Sequence, residues 1–250
     1  MSEELQHHLQ LRTGDVGRYV LLPGDPGRCE PIARLFDEPV KVASNREYET
    51  WTGTLDGEKV SVVSTGIGCP STAIAVEELI KIGADTFIRV GTSGAIQPDT
   101  PGGTLAIVSA AIRDEGTSSH YLPMEFPAVA DFQVVDAIRE AAKSRGVRSR
   151  VGVTQSKDSF YGEVEPDRMP LAKRLNERWA SFIAGGAICS EMEAAALFVI
   201  SSIHRVRAGG VMYMSGPDSE GPVDLAPLLD VAAESLRVLI RQDREGLVWP

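Results

Sequence analysis

The sequence predicts an α/β fold, and three observations carry that reading. Short apolar runs of strand length alternate along the chain with longer stretches of helical period. Three of the short runs open into glycine-rich turns, at residues 23–28, 65–68 and 91–94. A proline opens the helical stretch 70–82 and Gly83 follows it directly, the asymmetry expected of a helix start and stop. No repeat, low-complexity segment or linker breaks the pattern, so one domain over residues 1–250 is expected.

Taken in order, 19–22 reads as a buried strand running into the turn Pro23-Gly24-Asp25-Pro26-Gly27-Arg28. Residues 60–64 form the next strand, followed by a small-residue loop and the helix 70–82. Residues 86–90 are a strand that ends in Gly91-Thr92-Ser93-Gly94. Then come a strand at 104–111, a helix at 134–145 closed by Gly146, a strand at 151–156 and a helix at 166–179. An apolar helix at 190–202, a strand at 209–214 and a final helix at 225–244 complete the chain.

Composition narrows the partners. A hydrophobic share of 43% in 250 residues is enough for one sizeable core. A net charge of −10 argues against a nucleic-acid backbone or an anionic membrane as the main partner. No apolar run approaches a membrane span. The start MSEELQHH has neither the basic nor the apolar region of a signal peptide. Cys29, Cys69 and Cys189 are far apart and odd in number, which suits a reducing compartment and a cytoplasmic protein.

The chemistry-bearing residues gather at the glycine turns. Backbone amides there make anion pockets, although glycines also serve tight turns for purely local reasons. Arg28 closes the first turn, and Arg89 lies inside the apolar strand 86–90. A buried arginine needs a partner: either a bidentate anion such as phosphate or an Asp or Glu of the chain itself, and the two readings are even. Ser190-Glu191-Met192-Glu193 before an apolar run has the spacing of a capping box, in which Glu193 returns to the Ser190 amide. The alternative places Glu193 in a cleft, taking hydrogen bonds from ligand hydroxyls; spacing alone favours the cap. The histidines show no metal spacing, and the nucleophile-elbow, Walker and dinucleotide patterns are missing, which removes metal hydrolases, serine hydrolases, kinases and dehydrogenases.

Read together, LPGDPGR (22–28), SNREYETW (44–51), STGIGCPSTAIAVEEL (64–79), RVGTSGAIQP (89–98), MEFPAVADF (124–132), SKDSFYG (156–162) and SEMEAAALF (190–198) resemble the nucleoside phosphorylase-I family. They run in order through nearly the whole chain, and FPAVADF and SFYG resemble its uridine branch more than its hexameric purine branch. The resemblance implies a central twisted mixed β-sheet or barrel flanked by helices. It also implies cleavage of a nucleoside with inorganic phosphate as co-substrate and no organic cofactor. It assigns phosphate to Gly24, Arg28, Arg89 and Thr92, with Arg46 reaching the same phosphate from a neighbouring subunit. His8 crosses an interface to the ribose 5′-hydroxyl. Thr92, Met192 and Glu193 hold the ribose; Ser93, Gly94 and Phe160 line the base pocket. Arg28, Arg89 and Glu193 are the catalytic set. Glu47, Ile67 and Ser71 match a potassium site at a dimer interface, and a homo-oligomer, dimer at minimum and hexamer by extension, is implied.

The sequence departs from the uridine pattern at the base. Glu163 falls where a glutamine is expected, and Arg168 stands for an arginine of the same loop. Asp218 echoes the aspartate with which purine relatives protonate the base. A purine phosphorylase or a nucleosidase is therefore the rival reading, and a silent nucleoside-binding protein the rival of another class. Keeping Arg28, Arg46 and Arg89 favours phosphate over water as the nucleophile.

Overall fold

The computed structural model describes residues 4–216 and 223–247. Its elements are β1 (Tyr19–Pro23), α1 (Cys29–Ala33), β2 (Asp37–Asn45), β3 (Tyr48–Leu55), β4 (Glu58–Val63), α2 (Cys69–Lys81), β5 (Thr86–Ala95) and β6 (Leu105–Asp114). They continue as β7 (Ala128–Val129), α3 (Phe132–Ser144), β8 (Ser149–Lys157), α4 (Phe160–Val164), α5 (Ala172–Ala184), β9 (Cys189–Glu191), α6 (Ala194–His204), β10 (Arg207–Ser215) and α7 (Ala226–Arg244).

β5 is the hub. One edge pairs in parallel with β10 from Thr86 to Gly94. The other edge pairs in parallel with β1 as far as Val90, then antiparallel with β9 at Gly94 and Ala95. Because β10, β6, β8 and β9 pair in turn, the sheet closes on itself as a mixed barrel, and β1, β4, β3 and β2 extend it. Helices cover both outer faces. Val20, Phe87 and Met212 pack with Leu79 of α2 and Phe198 of α6, while Leu21, Ile88 and Val211 pack with Ile138 of α3 and Leu236 of α7. Burial on both faces is why these strands read as continuous apolar runs rather than alternating ones. α6 is buried from Ala194 to Ser201, as a helix apolar all round must be.

Three expectations need correction, and one element was not expected. The segment 91–94, read as a turn after a strand ending at Val90, is strand: β5 runs on to Ala95, pairing with β10 and β9. The helix placed at 166–179 is a single 3₁₀ turn, Pro166–Arg168, followed by α5 from Ala172. Pro170 disfavours helical backbone at the residue before it, and Met169 is extended (φ −96°, ψ 144°). The helix placed at 190–202 starts only at Ala194, because Cys189–Glu191 is a strand wedged between β5 and β8. The hairpin of β2 and β3 was not foreseen: β2 is mostly exposed and polar and offers no apolar period.

One polar cluster ties β1, β10 and α7 together. Arg207 donates to both carboxylate oxygens of Asp243 at 2.7 and 2.6 Å, and the Tyr19 hydroxyl donates to the same carboxylate at 2.6 Å. Burial pushes the Tyr19 hydroxyl up to about 12, helped by its bond to Asp243. For Asp243 burial acts upward, but the bonds from Arg207 and Tyr19 outweigh it and hold the carboxyl below the usual aspartate range. A carboxyl depressed on folding stabilises the native state above its unfolded pKa, near 4, and the contribution is lost as pH falls through and below that value. Asp243→Asn should therefore lower the melting temperature at pH 7 and flatten its decline below about pH 4. Melts from pH 3 to 7 on both proteins check this.

Candidate active site

The carboxyl ends of β1, β4, β5 and β10 point the same way, since these strands are mutually parallel where they pair. The turns that leave β1 and β4, and the glycine-rich second half of β5, therefore surround one cleft of about 950 Å³. Gly24, Arg28, Arg89, Thr92, Ser93 and Gly94 line it, together with Met192, Glu193, Phe160 and Glu163. Residues scattered over 170 positions thus meet at one end of the sheet.

Arg89 is the centre of the cleft. It is 5% exposed, and its Nε donates to Glu191 Oε2 at 2.8 Å while its Nη2 pairs with Glu193 Oε2. Its Nη1 is buried without a hydrogen-bond partner among the described residues. The reading of Arg89 as a buried ion pair with carboxylates of its own chain therefore holds, and one donor is left over. Burial acts to lower the Arg89 pKa, but Glu193 and Glu191 outweigh it and hold it above the usual guanidinium range. Arg28 sits alongside, with its Nη2 3.4 Å from Thr92 Oγ1. Burial and the neighbouring Arg89 charge lower its pKa, with Asp25 opposing.

The capping box does not form. Glu193 occupies the N-cap position of α6 without a side-chain cap bond, and Ser190 lies in β9. Glu191 caps instead, accepting from the amides of Glu193 at 2.8 Å and Ala194 at 3.0 Å and from Ser156 Oγ. That releases Glu193 to turn into the cleft, where Oε1 accepts from the Gly68 amide at 2.7 Å and Oε2 from the Met192 amide at 3.1 Å. Burial is the largest influence on its carboxyl and raises its pKa; Arg89 opposes and Glu191 adds.

The other end of the cleft is differently built. Phe160 is half exposed on α4, and Ser93 Oγ donates to the Tyr213 carbonyl at 3.1 Å. Glu163 Oε1 accepts from Lys157 Nζ at 2.8 Å, and Oε2 lies 2.8 Å from Ser190 Oγ. Lys157 Nζ also donates to Ser190 Oγ at 2.5 Å. Glu163 thus lines the cleft with both oxygens already engaged.

Some expected residues stay outside the cleft of their own chain. Arg46, at positive φ in the turn between β2 and β3, is exposed. His8 Nδ1 lies 2.7 Å from the Glu78 carboxylate Oε1, and His8 faces a separate groove beside α2. Arg168 points to solvent and pairs with Glu165. Glu47 and Ile67 line the cleft, and Ser71 donates to Glu47 Oε1 at 2.8 Å from behind. Asp218 lies outside the described residues. Two contributors were missed, Glu191 and Lys157. The signal for Lys157 was available: it is a charge at the end of a buried strand, the feature that singled out Arg89.

The sequence that builds this cleft matches a known family. The model of the phosphorylase superfamily matches residues 18–241. The chain belongs to that superfamily. It is 50% identical to a uridine phosphorylase of Treponema pallidum over 97% of both chains. It is 46% identical to a uridine phosphorylase of Thermococcus kodakarensis, over 98% of this chain and 90% of that one. A guanosine phosphorylase of Halorubrum lacusprofundi is 38% identical, over 84% of this chain and 83% of the other. The strand-end cleft of this superfamily member rests on Glu191, so Glu191→Gln should destabilise the fold. Removing one partner of a buried pair costs on the order of 3–5 kcal/mol. An unchanged denaturant midpoint would show that Glu193 alone suffices to hold Arg89.

Proposed function

We propose that this chain cleaves the N-glycosidic bond of a nucleoside with inorganic phosphate, releasing free base and ribose 1-phosphate, and that uridine is its preferred substrate. The observation that carries the reading is Arg89: a guanidinium held by two carboxylates, with Nη1 buried and unpaired among the described residues, in the cleft beside Arg28 and Thr92. Positioned cations of this kind hold a phosphate against an anomeric carbon, and their own ion pairs fix them before the substrate arrives. The Gly24 turn adds backbone amides to the same corner.

Glu193 suits the ribose. A carboxylate accepts about four hydrogen bonds. Gly68, Met192 and Arg89 occupy three of these positions, so Oε1 keeps capacity for the 2′-hydroxyl. The same negative charge, next to the phosphate, supports the oxocarbenium-like sugar of the transition state. Ser93, Gly94, Phe160 and Glu163 take the base. Two relatives named for uridine, together with FPAVADF and SFYG, put uridine first. The carboxylate at 163 and the relative named for guanosine support guanosine as the second reading.

The assembly belongs to the proposal. Arg46 and His8 lie away from their own cleft and serve a neighbour's, which requires at least a homodimer, with a hexamer of dimers as the full form. Glu47 and Ser71 supply oxygen ligands of the kind a potassium ion takes. One chain offers too few, so a potassium ion would sit where two copies meet, with Ile67 contributing beside them. We place the protein in the cytoplasm: Cys29, Cys69 and Cys189 are all buried and free, as suits a reducing compartment.

Activity should vanish in phosphate-free buffer, and Arg89→Ala should lower phosphate affinity or turnover by at least roughly tenfold, the equivalent of one lost charge-assisted bond. Equal turnover without phosphate, followed by release of free ribose, would make the chain a nucleosidase instead.

Shared sites make a second expectation. Arg46→Ala and Glu193→Ala proteins, each inactive alone, should recover part of the activity when mixed under subunit exchange. A fully active monomer in sedimentation at assay concentration would overturn the shared site.

A further inference from the structure

Behind the base end of the cleft lies a second cavity of about 340 Å³. One side of it is α5, a helix with no buried residue, which contributes Leu175, Asn176, Arg178, Trp179 and Phe182, and Asp114 of β6 lines it as well. Lys157 and Glu163 line both this cavity and the cleft. The two side chains come from different elements, the end of β8 and the short helix α4, and they meet at 2.8 Å with 7% and 14% of each exposed. Ser190 Oγ braces both from β9.

From this we infer that the Lys157–Glu163 ion pair is the wall that sets the size of the base pocket, closing the cleft against the rear cavity and restricting the enzyme to nucleosides whose base carries no bulky substituent on that edge. This rests on the proposed nucleoside phosphorolysis and adds the determinant of its substrate range. The pair suits the task because it is held from three directions. Lys157 leaves β8, Glu163 is fixed by the turn of α4, and the Ser190 hydroxyl sits between them. A mostly buried charge with a partner cannot swing aside without leaving that partner unpaired, which penalises opening more than an apolar side chain would. The space behind is already present: its aromatic and aliphatic walls would receive a ring, and Arg178 and Asp114 form its polar rim. α5 gives its side little packing to lose when that space is filled.

The inference predicts a change of selectivity, not merely of activity. Uridine, 3-benzyluridine and 5-phenyluridine would be assayed with the wild-type protein, Glu163→Ala, and Glu163→Ala combined with Leu175→Trp, which refills the rear cavity. Glu163→Ala should raise kcat/KM for at least one bulky substrate relative to uridine by tenfold or more. Adding Leu175→Trp should return that ratio towards the wild-type value. Thermal melts check folding, and the double variant Lys157→Ala with Glu163→Ala, which leaves no unpaired charge, should show the same gain. The inference fails if neither bulky substrate gains in either opened variant, or if the gain survives Leu175→Trp. Failure of the proposed function is separate: it would appear in the wild-type protein as turnover of uridine that ignores phosphate, or as no turnover of any nucleoside.

Discussion

A positive charge placed inside a β-sheet is the constraint from which the rest of this molecule follows. Arg89 lies on β5 between strands buried on both faces, where an isolated guanidinium would carry a desolvation penalty of several kcal/mol. Two carboxylates answer it, and both come from one five-residue segment, 189–193. For Glu191 to reach Nε, that segment must run beside β5 as the strand β9. For Glu193 to reach Nη2, the helix after it must begin no earlier than Ala194. Closure of the barrel through β9 and the start of α6 are thus consequences of neutralising one side chain.

The same constraint explains what could be read in advance. Buried strands announce themselves as apolar runs, so β1, β4, β6, β8 and β10 were legible to within a few residues, as were the amphipathic helices α3 and α7, whereas only the apolar first half of β5 was, its glycine-rich second half reading as a turn. The hairpin of β2 and β3 was not, because β2 (DEPVKVASN) lies at the sheet edge and carries solvent-facing charges. Its turn at Arg46 has no glycine, only a positive φ that arginine seldom adopts.

The site was legible in parts that follow the same logic. Gly24 and Arg28 follow the end of β1 and Arg89 is a charge inside an apolar strand, so local sequence singled out the glycine turn and the two arginines, while grouping them with Thr92 came from the family resemblance. Glu193 was harder, because S-x-x-E has two physical uses, and only the presence of Glu191 two residues earlier decides between them. Glu191 satisfies the first amides of α6, and a helix already capped has no need of Glu193. The identity of a cap is a competition between neighbours, and spacing alone does not resolve it.

The two ends of the cleft differ in how firmly they are tied to the fold, and this bears on which of them can change. The end holding Arg89 is made of sheet residues and helix-start amides whose loss disturbs the core. The end holding Glu163 is made of α4, a 3₁₀ turn and α5, none of whose α5 residues is buried. Substitutions there meet little packing resistance, so on the proposed function base recognition can drift while the phosphate and ribose ends stay fixed. Glu163 is such a substitution in one respect and not in another. As a free carboxylate it would face a pyrimidine carbonyl with a second acceptor, a mismatch on the order of 1–3 kcal/mol. Bound to Lys157 and beside Ser190, it presents a neutralised pair with a donor as well as an acceptor, which a base edge bearing both a carbonyl and an N–H can satisfy. Uracil and guanine both have such an edge. On the inference drawn above, what separates them at this end is size, set by where the Lys157–Glu163 pair stands.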